Sequence, residues 1–192
     1  AIQKQTRLIE DKMNTTALLA CPTCKGFPLN ESKTGYICTS CSSNFPICKG
    51  VPVFLRKNSA IIAEESSRAE FWDAGWDKRN KNLLSLSREE IIEERNNYLS
   101  YLTVEGYPSA TDLSKTNVGG KSFLNIGCGG GYEGLLFAGY DTRYIGVDFS
   151  HNAVRFTKQL IMNAGFHADT YQCEAEALPF QDASIDVVYS SG

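Results

Sequence analysis

The feature that most constrains the fold is a short apolar run that ends in a cluster of glycines. The run Phe123-Leu-Asn-Ile-Gly127-Cys-Gly129-Gly-Gly131 predicts a buried strand followed by a tight turn. Glycine lets the chain turn sharply and lets a ligand approach the backbone closely. A helix that begins near Tyr132 would present its first amide groups to an anion at this turn. The pattern therefore predicts a strand, an anion-binding loop and a helix, in that order.

Strand and helix signals alternate along the chain around this loop. The predicted strands are residues 121–127, 144–149, 170–175 and 185–191. The predicted helices are residues 131–140 and 151–165, and the second of them ends at Gly165. This alternation predicts an α/β fold with a parallel sheet and helices on both faces.

An acidic residue, Asp148, ends the second predicted strand, where a carboxylate suits the diol of a ribose. These residues alone leave three interpretations of the loop open. It could bind S-adenosylmethionine. It could bind a dinucleotide, because Gly129, Gly131 and Gly134 also satisfy that fingerprint. It could also be a helix-packing loop, with Asp148 or Ser150 merely capping the next helix.

Four of the seven cysteines form two C-x-x-C pairs, Cys21 with Cys24 and Cys38 with Cys41. Each pair can form a knuckle, and two knuckles complete the tetrahedral shell of a structural Zn²⁺ that has no open position for catalysis. The interval between the pairs is long enough for a hairpin. Free or redox-active cysteines are the alternative. We expect Cys48 to be a small buried hydrophobe, and Cys128 and Cys173 to pack rather than react.

Residues 19–56, CPTCKGFPL to GYICTSCSSNFPICKGVPVFL, resemble the zinc ribbon of the small tRNA-methyltransferase activator family. They also resemble the N-terminal ribbon of some ribosomal-RNA guanine methyltransferases. The resemblance implies the type of ribbon and its four zinc ligands, but it says little about a substrate.

Residues 121–192 resemble the methyltransferase type 11 group. The motifs that carry this resemblance are LNIGCGGG, IGVDFS, CEAEALPF and QDASIDVV, in the same order and at matching intervals. The resemblance implies a class I methyltransferase with a Rossmann-like sheet and S-adenosylmethionine as its cofactor. No catalytic residue can be assigned, because neither His151 nor His167 is obviously placed as a general base.

The same resemblance implies a set of cofactor-binding residues. In order along the chain, they are Asn125, Gly127, Cys128, Gly129, Gly131, Asp148, Phe149, Glu174, Ala175, Leu178 and Ser190. The glycines would pass beneath the methionine end, Asp148 would hold the ribose, and Phe149 would lie against the adenine. Glu174 and the backbone of Ala175 would address the adenine edge, with Leu178 lining the same pocket. Asn125 stands where the family usually has an acid, and Ser190 follows the fourth strand beside the expected methyl group.

Four segments are predicted along the chain. They are an N-terminal extension (1–16), the zinc ribbon (17–57), a helical connector (58–118) and the N-terminal part of the cofactor-binding domain (119–192). In the connector, Ser87 and Glu90 predict a capping box. Its aromatic residues Phe71, Trp72 and Trp76 are expected to contact the sheet, with a lid over the substrate as the alternative.

The chain ends directly after the fourth predicted strand, and we therefore expect it to be a fragment of a longer protein. The strand at 185–189 would then be an unpaired edge at which the chain could associate with itself. No apolar run approaches the roughly eighteen residues of a membrane span, and no signal peptide is evident, so a cytoplasmic protein without a membrane partner is expected.

Charge bears on the methyl acceptor. Residues 21–57 carry a net charge of +4, whereas residues 58–118 and 119–192 each carry −4. The whole chain, at −3, lacks the broad basic surface of a nucleic-acid binder, which favours a small-molecule acceptor. An RNA methyltransferase that holds its substrate with the ribbon is the first alternative. A non-enzymatic scaffold with a degenerate cofactor domain is the second.

Overall fold

The computed structural model describes residues 16–56, 70–76, 82–104 and 118–191. Nearly all of the predicted N-terminal extension and much of the predicted connector lie outside the described residues. Short helical turns occur at Thr16–Leu18, Leu83–Ser85 and Ala175–Ala177.

The first part of the chain, residues 16–56, is called the four-cysteine module below. It contains four short antiparallel strands in the order β1-β2-β3-β4. Their bounds are β1 Leu29–Ser32, β2 Gly35–Cys38, β3 Asn44–Cys48 and β4 Val51–Pro52. The hairpin of β1 and β2 fills the interval between the two cysteine pairs, as the sequence predicts.

Two helical pieces precede the second sheet. Residues 70–76 are helical, and α1 follows at Arg88–Val104. The predicted capping box is confirmed at the start of α1, because the Ser87 amide donates to the Glu90 carboxylate at 2.7 Å and the Glu90 amide donates to Ser87 Oγ at 3.3 Å. The Ser87 donors also lower the pKa of Glu90.

The second sheet has four parallel strands in the order β7-β6-β5-β8. Its strands are β5 Ser122–Ile126, β6 Arg143–Asp148, β7 Asp169–Gln172 and β8 Val187–Ser190. Helix α2, Tyr132–Ala138, connects β5 to β6, and α3, His151–Asn163, connects β6 to β7. Gly165, with φ of 85°, follows the end of α3. The predicted alternation and the parallel sheet are thus confirmed in this part of the chain.

The two faces of this sheet have different coverings. Phe123 and Tyr144 point to one face and pack against Phe137 of α2 and Ile161 of α3. Successive residues of a strand point to opposite faces, so Leu124 and its neighbours lie on the other face. These buried residues cluster with side chains of the four-cysteine module, namely Leu19, Cys21, Tyr36, Cys38, Phe45 and Phe54. The expected helices on both faces are therefore not found in the described part of the chain, because the module covers the second face.

The module also joins the β7 edge of the sheet. Val53 forms a parallel bridge with Gln172, and the Phe54 amide donates to the Gln172 carbonyl at 2.7 Å. Phe54 is fully buried, and its ring lies 5.9 Å from that of Tyr171, centroid to centroid. At the opposite edge, no strand in the described ranges pairs with the outer side of β8, and Val188 is 58% exposed.

Within the described residues, no helix combines the length and the apolar composition that a membrane crossing requires.

Candidate functional site

The loop after β5 depends on glycine for its backbone conformation. Gly127, Gly129 and Gly131 have φ angles of 73°, 47° and 79°, in the left-handed region that L side chains rarely adopt. Space is also limited at two of them. A Cβ at Gly129 would lie 2.9 Å from the ring of Trp76, and a Cβ at Gly131 would lie 2.9 Å from Thr157 Oγ1. A side chain at either position would therefore disturb both the turn and its neighbours.

The carboxylate of Asp148 is held directly against this loop. Its Oδ2 accepts from the Gly129 amide at 3.0 Å, and its Oδ1 accepts from the Ser150 amide at 2.8 Å. Burial nevertheless raises the pKa of Asp148 above its usual value, and the nearby charge of Asp73 adds to this effect. The sheet thus places a partly desolvated carboxylate, the acceptor that a ribose diol requires, at the predicted position.

The helical segment 70–76 is bound to the start of α3 beside Asp148. Ser150 caps α3 by accepting from the Ala153 amide at 3.0 Å. Asp73 accepts from the Asn152 amide at 3.0 Å and from the Ser150 hydroxyl. A carboxylate is favourable at this helix terminus because it meets unpaired amide groups there. Sequence reasoning missed Asp73, since nothing in its local pattern pairs it with a residue 77 positions away.

The aromatic residues of this segment differ in their surroundings. Trp76 lies on Gly129 and is half-buried. Trp72 stacks on Trp76 with ring centroids 6.3 Å apart and is 46% exposed, and Phe71 is 72% exposed. The expectation that all three contact the sheet is therefore wrong for Phe71 and Trp72. Trp76 contacts the glycine loop, so this segment covers part of the candidate site.

Glu174 follows the end of β7 and is buried. Its Oε2 accepts from Nε of Arg56 at 2.6 Å, and the Glu174 side chain is only 3% exposed. Ala175, exposed, and Leu178, half-buried, follow in the same loop. Arg56 is the main residue that sequence reasoning does not identify here, because it lies 118 residues from Glu174 in the chain.

Gln172 connects the tips of two strands beside the site. Its side-chain amide donates to the Phe149 carbonyl at 2.9 Å, and its Oε1 lies 3.0 Å from Nδ1 of His151. These bonds fix the position of Phe149, the residue predicted to lie against adenine. His151, the first residue of α3, is half-buried and held by Gln172.

The remaining predicted residues lie below or beside the loop. Asn125 is buried, and its side chain donates to the Tyr144 hydroxyl at 3.2 Å. Cys128 is buried, and this burial raises the pKa of its thiol well above the usual value, which favours packing over reaction. Ser190 is exposed and pairs with Ile126, so it lies at the same edge of the sheet as the loop.

The four paired cysteines come together in the module. Their sulfur atoms all lie within 4.8 Å of one another, with Cys21 and Cys41 at 3.6 Å and Cys24 and Cys38 also at 3.6 Å. A tetrahedral site with Zn–S bonds near 2.3 Å has S···S edges of about 3.8 Å, so this arrangement fits a structural zinc.

The three cysteines outside the two pairs differ in burial. Cys128 and Cys173 are buried as expected, whereas Cys48 is exposed and the prediction that it is buried is wrong. In the four-cysteine cluster, Sγ of Cys41 lies 3.1 Å from the Ser43 hydroxyl, and hydrogen bonding to Ser43 lowers the pKa of Cys41 to about 6.

A comparison with protein families agrees with this geometry in the second half of the chain. Residues 123–192 match the family model of a methyltransferase domain. Among solved structures, the YcgJ protein from Bacillus subtilis is similar, with 29% sequence identity and a TM-score of 0.39 over 44% of this chain. The chain spans 37% of the length of that structure. No curated protein sequence matches the chain.

The match supports a methyltransferase domain, of the class that uses S-adenosylmethionine, within residues 123–192. The matched range includes every predicted cofactor-binding residue, from Asn125 to Ser190. It does not include the four-cysteine module, and it does not indicate the methyl acceptor.

Proposed function

We propose that residues 119–192 bind S-adenosylmethionine in a Rossmann-like class I methyltransferase domain, and that the protein methylates a small-molecule acceptor. The observation that carries this proposal is the bond between Asp148 and the Gly129 amide. This bond joins the two parts of a nucleoside-binding site, a glycine loop and an acidic strand end, within the range that matches a methyltransferase domain.

Each part of the site has a role in this proposal. At Gly127 no described atom lies within 4 Å of where a Cβ would stand, which leaves room for an amino-acid tail, and Asp148 accepts from the ribose hydroxyls. Phe149 lies beside the adenine, and Glu174 accepts from its edge. When bound, S-adenosylmethionine supplies a methyl group on a sulfonium that already activates the leaving group. The protein then has mainly to hold the acceptor in line and exclude water. The helical segment 70–76 supports the second task, because Trp76 lies directly on the loop.

The charges of the module favour a small-molecule acceptor over RNA. Of its basic residues, Lys25 donates to the Leu178 carbonyl at 3.0 Å and Arg56 pairs with Glu174. Both groups are therefore engaged with the neighbouring domain, which reduces the positive charge that the module could offer to phosphates. We propose that its four cysteines hold a structural zinc and that the module supports the sheet.

Calorimetric titration with S-adenosylhomocysteine tests the cofactor assignment. We expect the unaltered protein to bind and Asp148→Ala to bind at least about tenfold more weakly, since each lost hydrogen bond to a charged group costs about 1.5–3 kcal/mol. Asp182→Ala is a matched control, because Asp182 is exposed and precedes β8 at the opposite end of the sheet. Equal affinity of Asp148→Ala and the unaltered protein would remove the role assigned to Asp148.

The acceptor class needs a separate measurement. Filter binding with ribosomal RNA at increasing salt distinguishes the two alternatives, because a surface that contacts phosphates loses affinity steeply as salt rises. We expect weak binding without such a dependence. Tight binding that falls steeply with salt would instead favour the RNA methyltransferase. No binding of S-adenosylhomocysteine by the folded protein would favour the non-enzymatic scaffold.

A further inference from the structure

We propose that Arg56 of the four-cysteine module is a positioning residue for the adenine of the cofactor, acting through Glu174. This inference rests on the proposed function, since it assigns to the module a part in recognising the base. It gives the module a second task besides covering the sheet.

The first step concerns the charge of Glu174. A buried carboxylate is costly unless a cation or several donors compensate it. Within the described part of the chain, the donor to Glu174 is Arg56, whose Nε lies 2.6 Å from Oε2. Arg56 is itself 37% exposed and stands at the end of the module, 118 residues before its partner in the sequence. The cation that pairs with this buried carboxylate therefore comes from the module.

The second step concerns the orientation of the carboxylate. The bond from Arg56 uses Oε2, and no described residue donates to Oε1. Oε1 thus remains as an acceptor at the edge where the resemblance places adenine, and the exocyclic amine of adenine is a donor. Holding one oxygen fixes the other, because the two belong to one planar group. Loss of Arg56 would leave the Glu174 carboxylate free to rotate.

The third step concerns the backbone that carries Glu174. Before it, the Phe54 amide donates to the Gln172 carbonyl at 2.7 Å. After it, Lys25 donates to the Leu178 carbonyl at 3.0 Å, and the Ala20 amide donates to the Pro179 carbonyl at 2.9 Å. Both ends of this loop are thus bonded to the module. The position of Glu174 is set by the module as well as by β7.

The test compares two ligands that differ at the base. S-adenosylhomocysteine carries the exocyclic amine, and S-inosylhomocysteine carries a carbonyl oxygen in its place. A site built to accept from the amine should reject the second ligand, because two acceptors would then face each other. We expect the unaltered protein to prefer the adenine ligand by at least about tenfold in calorimetric affinity. In Arg56→Met we expect that preference to fall below about threefold, and in Arg56→Lys we expect an intermediate value.

Arg88→Met is the matched control. Arg88 donates to the Ala164 carbonyl at 3.1 Å, at the end of α3 that is remote from the site, so the variant loses an arginine with a structural role but should keep the full preference. If Arg56→Met does not fold, the ligand preference of Arg56→Lys tests the inference instead. This variant retains a cation that can pair with Glu174.

The outcomes separate the inference from the function on which it rests. An unaltered protein that binds neither ligand contradicts the proposed function. One that binds both equally, or a folded Arg56→Met that keeps the original preference, contradicts the role of Arg56 while leaving the methyltransferase assignment intact. A uniform loss of affinity for both ligands in Arg56→Met would show a structural role only, and would also overturn the inference.

Discussion

On the face of the parallel sheet that is turned away from α2 and α3, the half formed by β6 and β7 is covered and the β8 edge is not. On the side of β7 and β6, side chains such as Ile145 and Tyr171 are buried under the four-cysteine module. On the side of β8, Val188 points to the same face and is 58% exposed. Both sides carry apolar residues on this face, so residue type alone does not decide burial. The difference shows that the module acts as a structural layer of this sheet.

Two residues of the four-cysteine cluster are themselves part of that layer. Cys21 and Cys38 are almost fully buried, and they belong to the same apolar cluster as Ile145, Tyr171 and Phe180 of the sheet side. The stability of the module and that of the covered side should therefore be linked. The open side should be nearly independent of it. Three experiments test this contrast, beginning with the largest effect.

The largest effect is expected from removing a metal ligand. Cys38→Ser should lose bound zinc and several kcal/mol of stability, because metal binding supplies much of the folding free energy of small metal modules. Cys48→Ser is the matched control, since Cys48 is exposed and lies outside the cluster. Metal content by mass spectrometry and thermal unfolding by circular dichroism measure both effects.

The number of transitions in the same melting curves decides whether the module and the sheet unfold together. If the module is a layer of the sheet, Cys38→Ser should lower the melting temperature of the whole protein in one transition. A separate early transition, with the helical signal of α2 and α3 unchanged, would mean that the module unfolds alone and would contradict the linkage.

Local features of this molecule could be predicted from its sequence. The strand ends, the glycine loop, the capping box of Ser87 and the hairpin between the cysteine pairs all depend on residues close together in the chain. The positions of Gly129 and Asp148 were predicted because the order of strands in a parallel α/β unit follows from its alternation. The roles assigned to them stay predictions until cofactor binding is measured.

Contacts between distant segments could not be predicted. Arg56 and Glu174 are 118 residues apart, and each has an ordinary solvated interpretation when its own neighbours are considered alone. Phe71 and Trp72 are large aromatic residues of the kind that usually form a core, yet both are exposed in the fold. Nothing in a single sequence indicated that the module, rather than a helix, covers the second face.

The second experiment truncates one apolar side chain on each side of the sheet. Phe54→Ala should lower the free energy of unfolding by about 3–5 kcal/mol, because Phe54 is fully buried between the module and Tyr171. Val188→Ala should cost no more than about 0.5 kcal/mol, since most of the side chain is already in water. Urea unfolding measures both values. A cost at Val188 similar to that at Phe54 would mean that the open side is covered in solution.

The smallest effect is expected from two carboxylates, one on each side, whose pKa values shift in opposite directions. Burial raises the pKa of Asp148, so its contribution to stability is present at acidic pH and is lost as the pH rises through its folded pKa. Ser122 lowers the pKa of Asp186 by donating from its hydroxyl at 2.6 Å and from its amide at 2.8 Å. The contribution of Asp186 is therefore present at neutral pH and is lost as the pH falls through its folded pKa.

Asparagine variants of the two residues test whether their contributions to stability change with pH in opposite directions. As the pH rises, the stability of Asp148→Asn relative to the unaltered protein should increase above about pH 4, whereas that of Asp186→Asn should decrease below about pH 4. At neutral pH the loss in Asp186→Asn should be about 0.5 kcal/mol, the lower end for a hydrogen bond, because Asp186 is exposed. Urea unfolding at several pH values gives both slopes. Parallel slopes would mean that Asp148 is as well solvated as Asp186, and a buried carboxylate at the glycine loop would then be contradicted.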